Sequence, residues 1–260
     1  FVRGYKIMKI LLISGHGAGD PGASSKFGVE ATETIIMVEK IRETLKQYAE
    51  VDLYPTNRNA YEDIKKGKCQ VRFGNYGYVL EVHFNSGAND LGGNGRTTGA
   101  EIYVTTAEKY VGVEKKILEK MAALGLKNRG VKKKNWTVIA TAKASGVSSA
   151  LLEVCFCDDR DDMQLYQTKK DQIAYAIASA IAEQFGLKKG NKAIAVGSTV
   201  TIKDGAVYGG LSSARGKTVP SAQRGGKKHT VDKIQVNKDV QEARLKEIQS
   251  WVAVSSLQVV

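Results

Sequence analysis

The sequence predicts an α/β fold: a mostly parallel twisted sheet flanked by helices, with a second, smaller all-β barrel-like domain after it. Two observations carry this. Over the first 186 residues, short apolar runs alternate with segments of helical period, as in strand–helix–strand units. After residue 187 the helical period disappears, and short alternating segments are separated by turns rich in Gly, Ser and Lys.

Each element has its own warrant. Residues 9–14 (KILLIS) carry a short apolar run and are followed by Gly15, which reads as a buried strand. Residues 31–48 carry Ile35, Val38, Ile41 and Leu45 at helical spacing. Residues 51–54 follow as a strand, and 59–72 are ambiguous, compatible with a helix. Residues 78–84 (YVLEVHF) are β-branched and aromatic, hence a strand, and 100–104 is another. A helix is expected at 108–124 and strands at 136–140 and 150–156. A closing helix at 169–185 buries Ile173, Ala176, Ile177, Ala180 and Ile181, with Gly186 at its C-cap. Beyond it, strands are expected at 199–202, 206–208, 229–236 and 251–254. The expected domains are therefore 8–186 and 197–260, joined by a linker at 187–196. Residues 1–7 read as an added tail before a start at Met8.

Composition bounds the function. Of 260 residues, 42% are hydrophobic and 25% charged, which excludes a disordered tail, a collagen-like rod and a disulfide-framed mini-protein. No apolar run reaches the ~18–20 residues of a membrane span. No signal peptide or targeting motif is visible, so synthesis in a cytoplasm, with action after release, is expected. Lys and Arg exceed Asp and Glu by 39 to 27, a net charge of +12 that favours anionic partners. Residues 187–260 hold 13 of those cations against 5 acids, so +8 lies in the small domain. Three cysteines cannot all pair, and they read as reduced thiols.

The chemistry-bearing residues lie in the larger domain. Gly17, Gly19 and Gly22 match a dinucleotide-binding pattern, with Asp52 posed as the ribose acid. Against it, Asp20 would face a pyrophosphate, Pro21 lacks an N–H, and the next helix starts too late. His16 and His83 lie at the ends of two expected strands, where a parallel sheet gathers its ligands. His229 lies in the basic tail and reads as surface. Two imidazoles need a third ligand to hold a catalytic zinc, and Glu30 and Glu33 are the candidates. Glu153 interrupts the apolar strand ALLEVCF, a costly place for a carboxylate without a partner or a role. The acids at 158–162 read as a solvated turn and helix start.

Together, the segments SGHGAGDPGA (14–23), VEATET (29–34), LEVHFNS (80–86), NRGVKKKNWTVI (128–139) and ALLEVCFCDDRDD (150–162) resemble the zinc-dependent N-acetylmuramoyl-L-alanine amidases. These are the peptidoglycan hydrolases of bacterial autolysins and phage endolysins. The resemblance implies Zn²⁺ as cofactor, held by His16, Glu30 and His83, with Glu33 the alternative to Glu30. It implies Glu153 as the catalytic glutamate and peptidoglycan as the substrate, cut between N-acetylmuramic acid and L-alanine. Asn85, beside His83, and Trp136, which follows a basic Gly-containing loop at 128–135, are the expected substrate contacts.

The small domain resembles a bacterial Src-homology-3-like cell-wall-binding module, with Tyr208 and Trp251 as candidate wall contacts and anionic wall polymers as a further partner. Nucleic acid is not expected, because the aromatic interleaving of RNA-binding modules is absent. Two rivals remain: a non-catalytic cell-wall or polyanion-binding protein on an α/β scaffold, and a cysteine hydrolase using Cys155 with His83.

Overall fold

In the computed structural model, residues 8–189, 194, 196–238 and 240–260 are described. The expected tail at 1–7 and linker positions 190–193 and 195 lie outside them. Two units form, one over Met8–Leu187 and the other from Lys188 to Val260.

In chain order the larger unit contains β1 (Lys9–Ser14), a two-residue ribbon of β2 (Ser24–Ser25) and β3 (Gly28–Val29), α1 (Glu30–Leu45) and β4 (Glu50–Leu53). Then come α2 (Ala60–Lys65), β5 (Tyr78–Asn85), β6 (Ala100–Val104), α3 (Gly112–Ala123), β7 (Asn128–Lys133), α4 (Thr137–Ala144), β8 (Ser148–Phe156) and α5 (Arg160–Gln184). The sheet order is β4-β1-β5-β8-β6-β7. All neighbours run parallel except β6 and β8, which are antiparallel.

The sheet is buried on both faces, which is why its strands read as continuous apolar runs rather than alternations. Ile10 and Leu12 of β1 join α1, α3 and α5 in one core. Leu11 and Ile13 face the other way, onto Ala60 of α2 and Val138 and Ala142 of α4. The same parity governs β5, where Tyr78, Leu80, Val82 and Phe84 enter the first core and Val79 the second.

Several expectations need correction. Residues 136–140 are not a strand: α4 covers them from Thr137, because Val138, Ile139 and Ala142 recur at helical spacing and bury one stripe. The basic stretch 128–133 is strand β7 at the sheet edge, where Arg129 and Lys132 are half-buried and Lys133 is exposed, and charge on an edge strand discourages further pairing. The acids at 158–162 are not all solvated. Asp159 and Asp162 are fully buried. Asp159 caps α5 by accepting the Asp162 N–H, and Asp162 accepts the N–H groups of Gly99 and Phe156. The closing helix therefore starts nine residues before the expected 169, with non-helical angles at Lys169 dividing it. It ends as its Gly predicts. Gly186 has φ 63°, its N–H bonds Glu183 O, and Leu187 N–H bonds Ala182 O at 2.8 Å, a Schellman cap.

The smaller unit contains β9 (Thr199–Ile202), β10 (Lys228–Asn237), β11 (Val240–Leu245), β12 (Ser250–Ala253) and β13 (Leu257–Val259). They form one antiparallel sheet ordered β12-β11-β10-β9-β13. Of residues 206–208, Val207 and Tyr208 make isolated bridges rather than the expected strand. Its core gathers Val200, Ile202, Val219, Val231, Leu245 and Val252. His229 is not a surface residue: it is 1% exposed and its Nε2 lies 2.8 Å from Gln223 O. It alternates with exposed Lys228 on β10, and that period-2 pattern turns it inward.

Candidate functional site

At the end of β1 the chain leaves the sheet through a run of positive φ angles. His16 (61°) and Ala18 (49°) share it with Gly17, Gly19 and Gly22. A non-glycine residue in this region is strained and persists only where its surroundings over-determine it. Those of His16 do. Its Nδ1 lies 2.8 Å from Asp20 Oδ2, and Asp20 is fixed by the Gly22 N–H and by Asn59 Nδ2. The other nitrogen, Nε2, lies 3.2 Å from Glu30 Oε2.

Glu30 opens α1 and points back toward the sheet. It is 4% exposed. Ala23 N–H donates to Oε2 and Phe84 N–H to Oε1, and His83 Nδ1 lies 3.0 Å from Oε1. The two imidazoles meet edge-on, 4.9 Å between centroids. His16, Glu30 and His83 thus bring ligand atoms within 4.8 Å of one another.

Glycines make this approach possible. A Cβ on Gly22 would come within 2.6 Å of both Glu30 Oε2 and His16 Cδ2, and its φ of 64° disfavours any side chain. The glycine-rich loop therefore admits an imidazole and a carboxylate, not a pyrophosphate. Asp52, posed as a ribose acid, is engaged by Lys9 and Tyr76. Gly22→Ala is expected to lower metal affinity at least ~10-fold, the scale seen when a ligand's supporting shell is disturbed. Competition against a chelator measures it, and unchanged affinity would show that the loop can yield.

A charged row crosses the sheet on the α2/α4 face. Glu153 on β8 is the register partner of His83 on β5 and of Glu101 on β6. Glu101, 1% exposed, accepts from Arg129, Lys132, Tyr103 and Asn85, and these donors hold its carboxyl below the ordinary value despite burial. Glu81 on β5 is 5% exposed, and its Oε1 lies 3.3 Å from His83 Nε2. Glu153 Oε2 and Glu81 Oε2 are buried without hydrogen-bond partners.

So many acids in one buried place require positive charge. Burial opposes ionisation of Glu30, yet hydrogen bonds with His16 and His83 hold its carboxyl far below the usual range. Burial also opposes charge on His83, but Glu30 and Glu81 outweigh it and raise its pKa. The His16 pKa is raised too, mainly by Glu30 and against burial. In the protein alone the raised pKa values favour protonated imidazoles, which offset part of the cluster's negative charge. A divalent cation would take their place, and two imidazoles with one carboxylate are a donor set that suits a catalytic zinc with one open position. The residues therefore fit the metal.

Burial first, then Glu30, Glu101 and Glu81, push Glu153 up to about 7, with His83 opposing. A carboxyl whose folded pKa lies above its ordinary 4.5 destabilises the fold as pH rises between the two values. Metal-free Glu153→Gln is therefore expected to melt higher than wild type at pH 8 and equally at pH 4. The upper bound is about 3 kcal/mol, from ~1.4 kcal/mol per pH unit. Equal melting at both pH values would contradict the shift.

The other expected site residues lie as follows. Glu33 does not join the cluster, because its oxygens accept from Tyr166 Oη (2.8 Å) and Gln167 Nε2 (3.3 Å) on α5. Asn85 lies beside the row, half-buried, on Glu101. Trp136 is 40% exposed, with Lys134 Nζ 3.6 Å from its ring centroid and Tyr103 packed edge-on. Cys155 is fully buried and its thiol pKa is pushed well up by burial, which removes the thiolate a cysteine hydrolase needs. Tyr208 packs against the core of the smaller unit, and Trp251, half-buried on β12, pairs with Arg244 in register. A second acidic group, Asp90, Asp159 and Asp161, is occupied in fastening loop 90–98, from Gly93, Asn94, Gly95 and Thr98. Sequence reasoning passed over Glu81 and Glu101. The i, i+2 spacing of Glu81 and His83 was the available signal, since it puts both on one face.

These residues can be set beside known proteins. The chain is 29% identical over 187 residues to an uncharacterised protein of Clostridium perfringens, covering 68% of this chain and 52% of that protein, so it spans about half the length of this curated relative. The structure resembles the catalytic domain of CwlV, an N-acetylmuramoyl-L-alanine amidase from Bacillus (Paenibacillus) polymyxa var. colistinus. The TM-score is 0.55 at 25% identity, over 70% of this chain and 100% of that one. It shares the fold of the N-acetylmuramoyl-L-alanine amidase AmiC2 of Nostoc punctiforme, at TM-score 0.54 and 20% identity, over 69% of this chain and 97% of that one. The family model described as N-acetylmuramoyl-L-alanine amidase matches residues 10–183, which include His16, Glu30, His83 and Glu153, and the chain belongs to that family.

Proposed function

We propose that the larger unit is a peptidoglycan hydrolase that cleaves the amide between N-acetylmuramic acid and L-alanine, with zinc as its metal. The observation that carries this reading is the convergence of His16, Glu30 and His83 beside Glu153, whose Oε2 is buried without a hydrogen-bond partner. His16, Glu30 and His83 would hold the ion. When bound, zinc supplies a Lewis acid that polarises the amide carbonyl and makes water more acidic. Glu153 takes a proton from the attacking water and delivers it to the leaving amine of L-alanine. Burial raises the Glu153 carboxyl pKa in the metal-free protein, and a carboxyl shifted toward neutrality accepts and gives protons with less penalty than an ordinary one. Glu101, held by Arg129 and Lys132, keeps a fixed negative charge in the next strand. Trp136 offers an exposed ring for substrate to stack on, and Asn85 an amide at the rim.

For the smaller unit we propose a barrel-like, Src-homology-3-like module that binds the wall through Tyr208 and Trp251, its basic surface attracting anionic polymers. Its excess of Lys and Arg and its antiparallel sheet support this. Deleting residues 188–260 is expected to weaken sedimentation with purified walls more than it slows hydrolysis of a soluble muramyl peptide. Equal loss of both would make the unit structural instead.

The activity itself is tested by product chemistry. Purified peptidoglycan incubated with the protein should gain free amino groups on L-alanine and no new reducing sugar ends. New reducing ends would indicate a glycosidase. Wall binding with no new ends of either kind would favour a non-catalytic binder.

A further inference from the structure

The two imidazoles of the cluster are held alike. Each turns one nitrogen to Glu30 and the other to a separate carboxylate. For His16 the second partner is Asp20, at 2.8 Å from Nδ1. For His83 it is Glu81, at 3.3 Å from Nε2. The two contacts differ in quality. His16 makes an aligned hydrogen bond, whereas His83 Nε2 and Glu81 Oε2 are both buried without one. Glu81 is 5% exposed and has no ion pair with Lys or Arg among the described residues. A carboxylate buried so sparsely costs stability, so its presence two residues before His83, on the same face of β5, calls for a role.

We propose that Glu81 is a positioning residue for the metal centre: it accepts the Nε2–H of His83, which fixes the tautomer and leaves Nδ1 free to ligate a cation beside His16 and Glu30. The proposal rests on the metal reading above. Three features of the site support it. Nδ1 already faces Glu30, so the ligating edge of the ring is defined. A Cβ on Gly15 would fall on the His83 ring, so the ring packs directly against the Gly15 backbone and is confined on that side. Glu81 is not among the groups whose ligand atoms converge, which separates it from His16, Glu30 and His83. A ligating histidine commonly gives its other N–H to a carboxylate, and losing that partner typically costs ~10–100-fold in metal affinity.

The test measures Zn²⁺ affinity of the full chain by competition with a chromophoric chelator, for wild type, Glu81→Ala, Glu81→Gln and His83→Ala. Visible spectra of the Co²⁺ forms report the ligand set, and melting with chelator present reports folding. Glu81→Ala is expected to bind zinc ~10–100-fold more weakly with a wild-type cobalt spectrum and an undiminished metal-free melting temperature. Glu81→Gln, whose amide oxygen still accepts from Nε2–H, should recover most of that loss. Wild-type affinity in Glu81→Ala overturns the proposal. So does a loss as large as in His83→Ala with an altered cobalt spectrum, because Glu81 would then be a ligand. A wild-type chain that binds neither metal overturns the metal reading itself, and the two failures are told apart by that control.

Discussion

Glu153→Gln is expected to reduce amide hydrolysis ~10²–10⁴-fold, the usual contribution of a positioned general acid–base, while metal content stays at the wild-type level. Gln matches Glu in size and can occupy the same space between His83 and Glu101, but it cannot take a proton from water. Glu153 does not converge with the three candidate ligands, so its loss leaves the donor set intact. The measurement is a turnover assay on a soluble muramyl peptide paired with elemental analysis of the same sample. Wild-type turnover would remove Glu153 from the proton path. Loss of metal together with activity would make Glu153 a ligand.

Glu30→Ala and Glu33→Ala are expected to part company. Structural zinc binding worth ~10–16 kcal/mol, shared among three or four ligands, gives about 3 kcal/mol each, so losing Glu30 should weaken zinc roughly 10²-fold and remove activity at low zinc. Glu33→Ala should leave metal affinity unchanged. Its cost falls on the fold instead, because the buried Tyr166 hydroxyl loses its acceptor, worth about 1–3 kcal/mol. Metal titration and thermal melting of the two variants separate these effects. A metal loss in Glu33→Ala equal to that in Glu30→Ala would mean that the first turn of α1 rearranges to offer either carboxylate.

Much of the fold was legible because local pattern and tertiary role agree. The Ile10–Ile13 run of KILLIS is continuously apolar since β1 is covered on both faces, and the Ile173–Ile181 stripe is the buried face of α5. Errors arose where the two diverge. The β-branched content of Trp136 to Ala140 suggested a strand, yet burial of Val138 and Ala142 on one side favours a helix. The charges of Asp159 and Asp162 suggested water, yet they serve as buried acceptors for backbone N–H groups that would otherwise go unsatisfied. His229 looked like part of a basic surface because strand β10 alternates charge with core positions. At the site, His16 and His83 stood out as rare residues at strand ends. Glu101 gave no local signal, since its proximity to Glu153 arises only when β6 pairs antiparallel with β8.

The central claim is that a metal held by His16, Glu30 and His83 is required for amide hydrolysis. The most direct measurement is zinc content per chain alongside release of free L-alanine amino groups from purified walls, before chelation, after it, and after Zn²⁺ is restored. The account predicts about one zinc per larger unit, loss of product on chelation, and recovery with zinc. Undiminished product from metal-free protein would contradict it.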